Sequence, residues 1–191
     1  MIKREYRCFY EGQQEEMYFD HIAKKVKEAR PNISLKFKKL AKLKTLEKSS
    51  TGVPKIAVFD YDLNKVDFES KVKLCNETRI LYSNLNFDMW LVLHKKQYRR
   101  TVQNNNAYID EIRNSYNLPN NTNIKAKGNI QKILDKIELI DVKRAIENAE
   151  EIMKEKMEED KIYVKRNFSY YPNPSMSINE FFKELFEDIG I

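Results

Sequence analysis

The chain has 191 residues, with 35 Lys and Arg against 29 Asp and Glu, a formal net charge of +6 and 41% hydrophobic residues. That is the size of one domain able to bury a core, and only 4 Gly and 5 Pro exclude a collagenous or linker-dominated chain. The longest apolar run, Met89 to Leu93, falls far short of the roughly 20 residues of a bilayer span, and the N-terminal residues lead into no secretory signal, so a cytoplasmic protein off the membrane is expected.

Glu5 to Tyr10 alternates as a first strand, and Gly12 follows as a tight turn. A helix is predicted from Glu15 to about Ala29, with Tyr18, Phe19, Ile22 and Val26 on one face; Pro31-Asn32 stops it. Ile33 to Phe37 has period two and reads as a half-exposed second strand. A basic stretch, Lys36 to Lys48, then runs into a Ser/Thr/Gly/Pro loop ending at Pro54. Lys55 to Phe59 is nearly continuous in apolar residues, as a strand buried on both faces requires, and Asp60 and Asp62 come next. A short helix around Phe68 to Cys75 leads to a fourth strand, Arg79 to Ser83. Phe87 to His94 is helical and very apolar, and Lys95 to Arg100 turns basic.

Beyond that point the pattern is helical. An Asn-rich loop, Asn117 to Asn123, precedes helices at about Gly128 to Ile137, Ile140 to Glu159 and Ile178 to Ile189. Cys8 and Cys75 are read as reduced core thiols, because neither their surroundings nor their spacing suits a disulfide framework or a C-x-x-C site. The expectation is one domain over residues 1–191. It comprises an α/β core over 1–100, with a mostly parallel sheet flanked by helices, and a mainly helical C-terminal extension over 101–191.

In an open parallel sheet, ligands bind beyond the carboxyl ends of the strands. Glu11 follows strand one, Asp60 and Asp62 follow strand three, and Ser83 and Asn84 end strand four, so oxygen-bearing groups share one edge. Asp60 and Asp62 point the same way if the chain stays extended. Carboxylates without His or Cys suit a hard ion, Mg2+ or Mn2+, which can neutralise charge on a phosphodiester under in-line attack. A D-x-D after a strand is by itself more often a loop start or helix cap, and its joint occurrence with the E-G turn shifts the balance.

Phe9-Tyr10-Glu11-Gly12 through Tyr18-Phe19 resembles the E-G-x-x-T-E-x-x-Y-F opening of the RloB-like family, whose members are similar to the Toprim fold. Val58-Phe59-Asp60-Tyr61-Asp62 resembles its D-x-D segment, and Ser83-Asn84-Leu85-Asn86-Phe87-Asp88-Met89-Trp90-Leu91-Val92-Leu93-His94 its S-N-P-x-F-E-x-W-L-L-L-H motif. Ala145 to Ala149 and Asn173 to Ile178 are similar to its A-I-x-x-A helix and N-P-S-T-x-V segment. Three positions depart from the pattern: Glu15 stands for Thr, Leu85 for Pro, and Asp88 for Glu.

The resemblance implies a Toprim-like, metal-dependent nuclease acting on RNA, including tRNA, or on DNA in bacterial anti-phage defence or abortive infection, alongside an AAA-type ATPase. On that reading Glu11, Asp60 and Asp62 hold the ion, Glu15 or Glu16 holds a second one, and Ser83 and Asn84 orient water or phosphate. Glu11 could instead serve as general base. Asp88 reaches a ligand or a helix terminus. His94 is either a phosphate donor and general acid or an ordinary helix-end histidine. His21 and Trp90 are read as structural.

Two basic runs are candidates for nucleic-acid binding: Lys38, Lys39, Lys42 and Lys44 in the first, and Lys95, Lys96, Arg99 and Arg100 in the second. Lys125 and Lys127 are further phosphate candidates. Two rivals accompany the nuclease: a catalytically silent nucleic-acid- or partner-binding subunit, and a primase-like nucleotidyl transferase. The oligomeric state is not legible from the sequence.

Overall fold

The computed structural model describes residues 1–49, 52–61, 64–158, 163–165 and 168–191. Its core is a four-stranded, wholly parallel sheet of β1 (Ile2–Tyr10), β2 (Ile33–Lys39), β3 (Lys55–Tyr61) and β4 (Arg79–Asn84), in the order β2-β1-β3-β4. Helix α1 (Gln13–Ala29) joins β1 to β2, α2 (Leu43–Glu47) lies between β2 and β3, and α3 (Lys65–Leu74) joins β3 to β4. The chain thus leaves β1 toward one edge and returns to build β3 on its other side. That reversal makes the β1/β3 boundary a topological switch point, where the connecting loops part and leave a crevice at the carboxyl ends.

Strand alternation assigns side chains to two cores. Cys8, Tyr10, Ile56, Val58 and Leu81 face α1 and the C-terminal helices, while Ala57, Phe59, Ile80 and Tyr82 face Leu46 of α2 and Phe68 and Val72 of α3. β3 carries an unbroken apolar run, Ile56 to Phe59, because both its faces are covered.

The first core is completed by α4 (Asp88–Leu93), α5 (Asn106–Ser115), α6 (Lys127–Leu134), α7 (Leu139–Lys156) and α8 (Ile178–Ile189). On α8, Phe181 and Phe182 pack into the aromatic cluster around Phe19, and Phe182 stacks on Trp90 at 5.8 Å between ring centres. The C-terminal helices are therefore part of the wall that covers the sheet. Trp90 and both cysteines are buried, as their apolar neighbourhoods implied.

Three elements differ from the sequence expectation. The basic stretch contains α2, a single short helix anchored by buried Leu43 and Leu46. α5 follows the second basic run. A two-stranded antiparallel hairpin of β5 (Tyr163–Lys165) and β6 (Phe168–Tyr170) interrupts the helical C-terminal region. Among the described residues, no helix is long and apolar enough to cross a membrane.

Candidate functional site

Glu11 leaves the end of β1 with both carboxylate oxygens engaged. Its Oε2 accepts the backbone N–H of Asp60 at 2.8 Å, and its Oε1 pairs with Lys71 of α3 at 2.6 Å. Lys71 also holds Asp67, one turn earlier on the same helix, at 2.6 Å. The first and third strands are thereby stitched at the switch point by a carboxylate side chain. Asp60 lies within β3, opposite Ser83 of β4, rather than in the loop beyond; by alternation it shares the α1 face with Ile56 and Val58. Asp62 lies outside the described residues. Among those described, no three His, Cys, Asp or Glu side chains converge as a metal-ligating group.

The first turn of α1 supplies the second carboxylate. Glu15 is only 3% exposed, and its Oε2 has no hydrogen-bond partner among the described residues. It curls back over Gly12, where an added Cβ would stand 2.5 Å from that oxygen; Gly12 is needed for space, since its φ of -120° is open to any residue. Burial pushes the Glu15 carboxyl up, with repulsion from Asp88 and Glu11 adding to it, against the pull of its own backbone N–H and of Lys125. Glu16, the alternative, turns outward to Lys39 at 2.5 Å.

Asp88 opens α4 and is fully buried. Asn86 brackets it: the Asn86 amide donates to Asp88 Oδ2 at 2.9 Å while its carbonyl oxygen accepts the Asp88 N–H at 3.0 Å. Lys125, from the segment before α6, reaches in to donate to Asp88 Oδ1 and Gln14 Oε1, each at 2.7 Å. A lysine the sequence offered only as a weak phosphate candidate is thus the counter-ion of the most buried carboxylate in the motif. Lys71 and Gln14 were not singled out from the sequence; their partners lie on other elements, and only the topology brings them together.

At the end of β4, Asn84 is pinned by the Asn173 to Ile178 segment. Its N–H donates to Ser175 O at 3.0 Å, and Ser175 Oγ lies 2.8 Å from both Asn84 Oδ1 and Tyr171 O, with one proton to share. Ser83 is buried and bridges to Met176 on that same segment. The Nδ2 atom of Asn84 and the Nε2 atom of Gln14 are buried without partners among the described residues, like Glu15 Oε2. Next to Asn84, Leu85 has a φ of 60° and donates its N–H to Tyr61 O at 2.9 Å. A proline, which the resembling motif carries there, could do neither.

The structure places two further candidate groups against other parts of the fold. His94 is fully buried: Nδ1 lies 2.8 Å from Trp90 O and Nε2 2.8 Å from the Tyr18 hydroxyl. A carbonyl can only accept, so Nδ1 carries the proton and Nε2 accepts from Tyr18. Burial holds its pKa down to about 3. A neutral imidazole with both nitrogens spent inside the core is a packing element and not a phosphate donor or general acid. His21 is structural in the same sense, bonded to Ile137 O at 2.9 Å.

The second basic run is also spoken for. Lys95 pairs with Asp141 at 3.0 Å, Lys96 with Glu111, and Arg99 with Glu151 at 2.5 Å and with Glu155. These cations fasten the turn after α4 to α5 and α7, which leaves exposed Arg100 as the remaining candidate of that run. In the first run, Lys38, Lys39, Lys42 and Lys44 are exposed, with Lys39 committed to Glu16. A cavity of about 610 Å3 lies elsewhere, between the amino end of β4, Met153 and Ser177, and none of the strand-end carboxylates lines it.

The family model described as RloB-like protein matches residues 7–185 of the chain. No curated protein and no solved structure matches the chain.

Proposed function

We propose that this chain, which belongs to the RloB-like family, is a metal-dependent nuclease that hydrolyses phosphodiester bonds of RNA, including tRNA, or of DNA in defence against phage. The observation that carries this reading is the Glu15 carboxylate, buried at the carboxyl edge of the sheet with one oxygen unpartnered. A bare buried carboxylate oxygen is costly, and a bound cation is one way to satisfy it. Glu11 at the β1/β3 switch point supports the same reading.

The donor chemistry fits a hard cation, since every group offered is an oxygen. Glu11, Asp60 and Asp62 would hold Mg2+ or Mn2+, with Glu15 serving a second ion. When bound, the ion supplies charge neutralisation at the phosphate. The protein's own part is positioning. Lys71 and the Asp60 N–H fix the Glu11 carboxylate from two sides, and Ser175 fixes Asn84 while its amide Nδ2 remains available to orient a phosphate or water. Lys125 neutralises Asp88, so that Glu15 faces one fewer uncompensated charge. An AAA-type ATPase partner belongs to the proposal on the family resemblance alone.

The purified chain should produce new ends in a mixed RNA and DNA pool with Mg2+ or Mn2+ and none with chelator, as read by sequencing. Asp60→Asn should abolish those ends while leaving the melting temperature unchanged; equal cleavage by the variant would remove the proposed site. The Lys71 pair favours a second reading, because an ammonium already stands beside Glu11 where a cation would compete with it. A catalytically silent nucleic-acid-binding subunit would bind oligonucleotides equally with or without metal and yield no ends.

A further inference from the structure

Between β2, β1 and α2 lies a cleft of about 400 Å3 lined by Arg7, Lys38, Leu40, Lys44, Thr45, Lys48 and Ser49. Four cations, two hydroxyls and one leucine line it, and no carboxylate does. Arg7 and Lys38 are direct register partners on adjacent strands, so two like charges face each other on one side of the sheet, an arrangement that is unfavourable unless something offsets it. The nearby acids do not. Glu16 is bound to Lys39, and Glu47 turns away to the N–H groups of Asn76 and Glu77 and the Thr78 hydroxyl, all within 2.8 Å. Among the described residues, none of the four lining cations is in an ion pair.

We infer that this cleft is a phosphate-binding subsite that seats the backbone of a nucleic-acid strand. An arginine, with its fork of donors, together with lysines and a hydroxyl is the donor set a phosphodiester recruits, and Leu40 offers an apolar floor beside it. The position suits the strand-end carboxylates. Arg7 lies within β1, four residues before Glu11 just past its end, roughly 13 Å at about 3.3 Å per residue, so a nucleic-acid strand held here continues toward that edge. The inference rests on the nuclease reading for the use of the subsite, and its binding chemistry stands apart from catalysis.

The test is a titration of fluorescein-labelled short single-stranded RNA and DNA by anisotropy, in chelator, over a range of salt. Arg7→Gln/Lys44→Gln/Lys48→Gln should weaken binding about tenfold and lower the salt slope by about 2, at about 0.7 per single-strand phosphate contact. Lys132→Gln/Lys143→Gln/Lys154→Gln, an equal loss of exposed charge elsewhere, should change affinity less than about twofold. Competition by ATP that depends on the same three residues would make a mononucleotide's phosphates the occupant; no competition would leave the strand backbone. If the triple variant binds like the charge-matched control, the subsite is refuted. Should it melt lower than the wild type, Lys44→Gln/Lys48→Gln, at exposed positions on α2 and just after it, carries the same comparison. Absence of cleavage with every metal would sink the nuclease reading and leave this titration standing.

Discussion

Because His94 is buried and neutral in the folded protein, acid should destabilise the fold through it. The ordinary histidine pKa is 6.5, and burial holds the folded one at about 3. Between those values the unfolded chain binds a proton that the native state refuses, so stability is fully present above 6.5 and is lost as pH falls. Integrated from about pH 7 to pH 5, the loss is about 2 kcal/mol from this one side chain. Other groups titrate too, so the informative quantity is a difference. Urea unfolding of wild type and His94→Gln across that interval should show a wild-type decline steeper by about 2 kcal/mol, whatever the variant's own stability at neutral pH. The glutamine retains an acceptor for the Tyr18 hydroxyl and carries no titrating group. Parallel curves for the two proteins would mean that the imidazole ionises normally in the folded state, and the assignment of His94 to the core would fail.

Lys125→Met should cost about 2 kcal/mol by removing the charged donor to Asp88, less than for a fully buried pair because the Lys125 side chain is 46% exposed. That corresponds to a fall of about 4 to 8 °C in Tm. A double-mutant cycle with Asp88→Asn should show coupling, and strict additivity would remove the pair from the account. Gly12→Ala should destabilise by about 1 to 2 kcal/mol through the clash with the Glu15 carboxylate. In a Glu15→Ala background that cost should vanish, and its persistence there would trace the need for glycine to something other than space.

Much of the frame is legible in the amino-acid sequence. β3 announced itself because a strand covered on both faces carries a nearly continuous apolar run, here Ile56 to Phe59, and α1 and α8 because a single buried face imposes spacings of three and four. α2 was not readable: two leucines in a lysine-rich run do not make a period, and its five residues are held by contacts with the sheet. The three-residue strands of the β5/β6 hairpin are too short for any alternation to register. At the site, the acids at strand ends were visible as residue types in order along the chain. Which of Glu15 and Glu16 turns inward was not, because both lie in the first turn of α1 and only the neighbouring β2 edge, with Lys39, draws Glu16 away.

By its pattern of apolar and polar residues, the amino-acid sequence alone determined an α/β layer order, the buried face of each long helix, and the presence of carboxylates where strands stop. Only the tertiary structure decided which charges are spent on each other: Lys71 on Glu11, Lys125 on Asp88, and Arg99 on Glu151, partners separated by tens of residues. The reason is physical. Side-chain periodicity is a local property of the backbone, whereas ion pairs and hydrogen bonds act over about 3 Å of space, and their partners are chosen by how the elements pack.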